Sequence, residues 1–155
     1  HLPAEVSPAA PSFICQHVNR PLVWQQPWLA HDNGARGVVS VTGVIADPGQ
    51  AALAYAELFG PAAVSAGHGC VVVDTGGARL RLTTPAGLGR LYPGLVGSAD
   101  HTPPWLCGLR LAVADVVATA AALDARAVPY FRDGDRILRL PPELACGVVI
   151  ELAAS

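Results

Sequence analysis

Val44-Ile45-Ala46-Asp47 is echoed 68 positions later by Ala112-Val113-Ala114-Asp115, and the surrounding sequence is echoed with it. Val39 to Gly60 reads as a strand, a turn and a helix. In the strand, Val39, Val41 and Gly43 share one side and Ser40, Thr42 and Val44 the other. Asp47 is an N-cap, Pro48 occupies the first helical position, where its missing N–H costs nothing, and Gly60 is a natural stop. Leu53, Ala56 and Phe59 or Gly60 recur at helical spacing. The second copy runs from Leu109 to Asp115 as strand and from Val116 as helix. A repeat of this length restricts the chain to architectures built from two like units.

Each copy continues into short strands. In the first, strands are expected near 62–66, at 70–74 and at 78–83, the last two joined by the Thr75-Gly76-Gly77 turn. In the second, a strand near 128–131 turns at Asp133-Gly134 into 137–140, and a last strand spans 147–153. The expected division is a tail, a strand at 12–17 and a linker over 1–37, a βαβββ module over 38–84, a Pro- and Gly-rich linker over 85–104, and a second βαβββ module over 105–153. One such module has an open curved sheet that cannot bury its concave face; two together can. The fold class is therefore α+β: two βαβββ modules forming a curved mixed sheet with helices on the outer face. The aromatic linker 19–37, with Trp24 and Trp28, is expected to pack its rings on an apolar surface.

Composition narrows the function. A chain 52% hydrophobic and 14% charged has ample material for a core, and its longest apolar runs fall far short of the ~20 residues a membrane span needs. Net charge is −2 and no basic block occurs, so neither nucleic acid nor a membrane is expected as a partner. Cys15, Cys70, Cys107 and Cys146 have no paired spacing and read as reduced, mostly buried thiols of a cytoplasmic protein. The absence of Met, even at the first position, suggests a piece of a longer protein.

The two strand–Asp–helix openings and the closing strand Gly147-Val-Val-Ile-Glu151-Leu152 resemble the vicinal oxygen chelate superfamily, the glyoxalase and bleomycin-resistance fold, over residues 38 to 153. Ser12 to His17 (SFICQH) resembles the strand that closes a preceding domain in longer bacterial glyoxalase-like proteins, so this chain looks like the C-terminal half of one. The resemblance implies a divalent metal (Zn, Fe, Mn or Ni) held inside the sheet by His, Glu or Gln from the first and last strand of each module. It would act as a Lewis acid on neighbouring substrate oxygens.

Carried over residue by residue, the four ligand positions are Ser40, Arg81, Gly108 and Glu151. Glu151 alone has ligand chemistry, and Arg81 opposes a cation. No metal is therefore expected within 38–153. An Arg81–Glu151 ion pair on the concave face is expected instead, or separately solvated side chains should the register slip by one. The alternation of Ala78 to Leu82 equally allows Arg79 and Arg81 to line a wet face. Gln16 aligns with Glu151 as a ligand position of the missing domain, and His17 adjoins it. His31, His68 and His101 read as loop histidines. Cys70 beside His68 does not read as a nucleophile–base pair.

Two functions follow, beside a third reading in which the chain is a purely structural remnant. In the first, this is a glyoxalase-like domain of a metal-dependent lyase, isomerase or dioxygenase for a small oxygenated molecule. Glu151 is then the candidate catalytic residue, and Glu151, Gln16 and His17 are the candidate metal ligands. In the second, it is a non-catalytic small-molecule-binding module of the drug-resistance type, with Arg81 and Ser40 on the ligand. Either form is expected to pair as a homodimer or to pack on a missing N-terminal domain.

Overall fold

The computed structural model describes residues 1–94 and 101–154. Its centre is one eight-stranded mixed sheet in the order β2-β3-β4-β1-β5-β8-β7-β6. The strands are β1 (Ala35–Val44), β2 (Val64–Gly67), β3 (Cys70–Asp74), β4 (Arg79–Thr83), β5 (Trp105–Val113), β6 (Phe131–Asp133), β7 (Ile137–Leu140) and β8 (Val149–Ala154). Each half of the sheet is one module. In both, the first strand pairs in parallel with the last, β1 with β4 and β5 with β8. The remaining pairs are antiparallel, including β1 with β5, which joins the halves within one chain. The fold class expected from the repeat is the one observed.

The two module helices, α2 (Pro48–Phe59) and α4 (Val116–Asp124), cover the same face of the sheet. Each starts at its repeated aspartate. The Asp47 carboxylate accepts hydrogen bonds from the N–H groups of Gly49 (2.8 Å) and Gln50 (3.0 Å). The Asp115 carboxylate does the same for Val117 (2.7 Å) and Ala118 (3.1 Å). Beneath α2, Ile45, Val71, Val73 and Leu82 pack on Ala51 and Tyr55. Beneath α4, Val113, Leu138 and Leu152 pack on Val116, Ala120 and Leu123.

The residues that mark the helical spacing of α2 are not its buried ones. Leu53 is 72% exposed and Phe59 is 42% exposed, while Ala51 and Tyr55 are buried. Tyr55 turns inward because its hydroxyl has partners there, Ser7 Oγ and the Ala9 N–H, both at 3.3 Å. Residues 1–12 thus dock on α2. The strand expected at 12–17 does not form: Ser12 makes a lone bridge with Leu2, and residues 13–17 are exposed and pair with none of the eight strands. Residues 19–37 contain a short helix, α1 (Arg20–Val23), a 3₁₀ turn at Gln26–Trp28 and the start of β1. Trp24 and Trp28 are exposed, contrary to expectation, because nothing apolar among the described residues lies over them. The thiols are also less buried than expected: Cys107 is buried, Cys70 is half-buried, and Cys15 and Cys146 are exposed.

The linker between the modules holds a further helix, α3 (Pro85–Leu91), capped by Thr84, whose hydroxyl accepts the Gly87 N–H at 3.2 Å. Part of that linker, residues 95–100, lies outside the described residues. From α3, Leu88 and Tyr92 pack on Val44, Cys107 and Val149, so α3 closes part of the inner face, the one turned away from α2 and α4. Pro103–Pro104 is a cis peptide.

Asp47→Ala and Asp115→Ala should each cost about 1 kcal/mol of stability, and their effects should add, because the two caps share no partner. Urea denaturation of the two single variants and the double variant checks this.

Candidate functional site

Strand pairing sets one row of side chains across the inner face. Asp74, Arg79, Ser40, Arg110, Glu151, Arg139 and Phe131 are successive register partners from β3, β4, β1, β5, β8, β7 and β6. The adjacent row is Val72, Arg81, Thr42, Gly108 and Val149. The two rows carry all four positions that the resemblance marks, Ser40, Arg81, Gly108 and Glu151, on one face.

Glu151 lies between Arg110 and Arg139 in the first row and is 0% exposed. A carboxylate so placed cannot stay ionised without strong donors. Arg110 Nε donates to Oε2 at 2.9 Å and Arg139 Nε donates to Oε1 at 3.0 Å. Arg81 Nη1 lies 3.7 Å from Oε2, an ion pair without a hydrogen bond. Arg139 is shared: its Nη2 is 2.6 Å from an Asp133 carboxylate oxygen, and its guanidinium lies 5.7 Å from the centre of the Tyr92 ring. Burial alone would raise the pKa of Glu151. The hydrogen bond and charge of Arg110, then those of Arg139, outweigh it and hold the carboxyl below its ordinary value. The bond to Glu151 in turn raises the pKa of Arg110.

The second row is sealed by Tyr92. Its hydroxyl donates to Thr42 Oγ1 at 3.0 Å, and its ring lies directly on Gly108. A Cβ at position 108 would stand 2.9 Å from Tyr92 Cζ, so the ring requires glycine there. Burial raises the pKa of the phenol, which keeps it protonated and donating. Burial likewise pushes the Cys107 thiol up to about 11, so it is no nucleophile at neutral pH.

These residues do not fit a divalent metal. Both Glu151 oxygens already accept hydrogen bonds from guanidinium groups, Arg81 adds a third cation, Gly108 has no ligand and is covered by Tyr92, and Ser40 is a weak neutral donor. Gln16 and His17 are exposed, in the segment before α1. Among the described residues, no three His, Cys, Asp or Glu side chains come together in a metal-binding group.

The structure brings Arg81 to Glu151, as the alignment of the two last strands anticipates. It adds two residues that alignment did not single out, Arg110 and Arg139. Strand alternation carried a signal for both: Arg110 is two residues from Gly108, and Arg139 sits in a hairpin partner of the Glu151 strand. Beside Arg139 a cleft of about 310 Å³ opens between Phe131, Arg132 and Asp133 on one side and Pro93 and Gly94 on the other.

Comparison with solved structures decides the architecture. Methylmalonyl-CoA epimerase from Mycobacterium tuberculosis superposes with a TM-score of 0.53 at 20% identity, over 78% of this chain and 89% of its own. A variant of the Streptomyces coelicolor methylmalonyl-CoA epimerase, in complex with 2-nitronate-propionyl-CoA, gives 0.51 at 20% identity, over 78% and 95%. The chain has the vicinal oxygen chelate fold. No family model matches the sequence, and no curated protein matches it. At this identity the likeness establishes the fold alone. No helix among the described residues of this vicinal oxygen chelate domain is long and apolar enough to cross a membrane.

Because the pKa of Glu151 is lowered on folding, its stabilisation is complete above the unfolded carboxyl value of about 4.3 and is lost as the pH falls through the lower folded value. Glu151→Gln should therefore destabilise the protein at pH 7 by about 3 kcal/mol, since Arg110 and Arg139 lose their counter-charge. It should also flatten the fall in stability below pH 4.3. Denaturation midpoints from pH 2.5 to 7 check both effects. Gly108→Ala should cost about 1–3 kcal/mol by overpacking against Tyr92, and Tyr92→Leu should relieve most of that increment.

Proposed function

We propose that this domain binds a small oxygenated molecule on the inner face of its sheet, holding the molecule's anionic group with arginine side chains where relatives of the fold use a metal. The observation that carries this reading is the charge balance around Glu151. Arg81, Arg110 and Arg139 face two carboxylates, Glu151 and Asp133. Two of the three guanidinium groups are hydrogen-bonded to those carboxylates and Arg81 is not. A guanidinium is a strong, geometrically defined receptor for an anionic oxygen. The cleft of about 310 Å³ beside Arg139 reaches the network at Asp133 and Arg139, and Arg81 does not line it.

On this reading the domain is a non-catalytic binding module, and Arg81 is the anchor. Glu151 acts as the counter-ion that keeps Arg110 and Arg139 in place rather than as a catalytic group. A metal-dependent lyase, isomerase or dioxygenase step would need donors beyond those of the inner face, so none is assigned to these residues. The solved neighbours are a methylmalonyl-CoA epimerase and a variant of one in complex with 2-nitronate-propionyl-CoA. Acyl-CoA compounds with an anionic acyl group therefore belong in any ligand screen of this chain.

Acetate, oxalate, inorganic phosphate and methylmalonyl-CoA, each tested at constant ionic strength, provide the check. At least one should shift the amide NMR resonances of β1, β4, β5 and β8 and raise the melting temperature. Arg81→Ala should weaken that binding at least tenfold while circular dichroism shows a folded protein. Stoichiometric metal by elemental analysis, removed by EDTA with loss of ligand binding, would overturn the reading.

A further inference from the structure

Two polar atoms on the inner face, Ser40 Oγ and Arg81 Nη1, are inaccessible to solvent and have no hydrogen-bond partner among the described residues. Buried polar groups almost always have partners, so each such exception calls for a physical reason. The two are neighbours in the fold. Ser40 is on β1 and Arg81 on the adjacent β4, and Thr42, the register partner of Arg81, is two residues from Ser40 on the same face. Ser40 is 2% exposed and is also the register partner of Arg110 on β5. A hydroxyl on β1 and a guanidinium N–H on β4 therefore both lack an acceptor, and Arg81 is the arginine of the network that is not hydrogen-bonded to a carboxylate.

Resting on the binding role proposed above, we infer that Ser40 and Arg81 form an oxyanion subsite for a monoanionic carboxylate of the ligand. The class follows from charge and size. Arg81, Arg110 and Arg139 against Glu151 and Asp133 leave one positive charge uncompensated, so one negative charge completes the set and a dianion exceeds it. Glu151 itself, 3.7 Å from Arg81 Nη1, repels a second negative charge more than a first. The carboxylate accepts one hydrogen bond from the Ser40 hydroxyl and one from Arg81 Nη1, satisfying both atoms. Ser40 sets position and Arg81 supplies the charge.

The test uses acetate, inorganic phosphate and chloride as probes on the whole chain, with Ser40→Ala and Arg81→Gln variants, by calorimetry and amide NMR at constant ionic strength. Acetate should bind the native protein at least tenfold tighter than phosphate or chloride. Ser40→Ala should weaken acetate at least fivefold, and Arg81→Gln should abolish its binding. Without ligand, Ser40→Ala should melt at or above the native temperature, since an unpaired buried hydroxyl is a cost and its removal is not. Equal acetate affinity in Ser40→Ala and native protein would overturn the subsite, because Ser40 would then be satisfied by water. So would a preference for phosphate or chloride. Should methylmalonyl-CoA or oxalate perturb β1 and β8 equally in native and Ser40→Ala protein, the carboxylate subsite fails while the binding reading stands. Should none of the compounds perturb those strands, both fail.

Discussion

A carboxylate with no exposure to solvent, on an interior strand of an eight-stranded sheet, sets the terms for the inner face of this domain. Glu151 is the fully buried member of the network and has the largest electrostatic need, because transfer of an isolated anion out of water is prohibitive. Its two neighbours in register, Arg110 on β5 and Arg139 on β7, meet that need from either side, one oxygen each. Arg81 comes from the other module and so ties the first half of the sheet to the charge at the centre of the second. Such networks add little net stability over an apolar core of the same volume, but losing one member strands the others. The inner face is therefore intolerant of single changes in charge.

The second constraint is steric. The linker helix α3 places Tyr92 on Gly108, and the ring's hydroxyl reaches Thr42 across β1. The contact fills the part of the inner face where the first strand of module two would otherwise present a side chain. It also presents the π-face of Tyr92 to Arg139, so the charge network and the Tyr92 packing share a boundary. Glycine at 108 and tyrosine at 92 thus form one feature: a larger residue at 108 would displace the ring and leave Thr42 without its donor.

Much of this was legible in the sequence because its signals are local and doubled. Asp47 and Asp115 cap equivalent helices, the Gly76-Gly77 and Asp133-Gly134 turns mark equivalent hairpins, and the equivalence of β4 and β8 predicts that Arg81 and Glu151 share a face. What was missed depends on packing between distant segments. Tyr55 faces inward only because residues 7 and 9 supply partners for its hydroxyl, so the helical period of α2 pointed to Leu53 instead. The helix α3 has two glycines and a proline within seven residues, and composition read it as a linker; Thr84-Pro85, a cap followed by proline, was its overlooked start signal. Residues 12–17 read as a short strand, but local sequence does not say whether a partner strand lies within reach, and residues 13–17 are exposed.

The pairing of modules explains why the same positions serve such different chemistry. In this fold the first and last strands of both modules converge on one face, which delivers four side chains to a common centre whatever their identity. With metal-ligating residues there, the centre suits a cation. With Ser40, Arg81, Gly108 and Glu151 there, and Arg110 and Arg139 flanking, the sign of the field is reversed: the fixed charges are mainly positive. The backbone supplies convergence, and the residues at its four focal positions decide which charge is held. That division is why the architecture follows from the repeat alone, while the chemistry had to be read position by position.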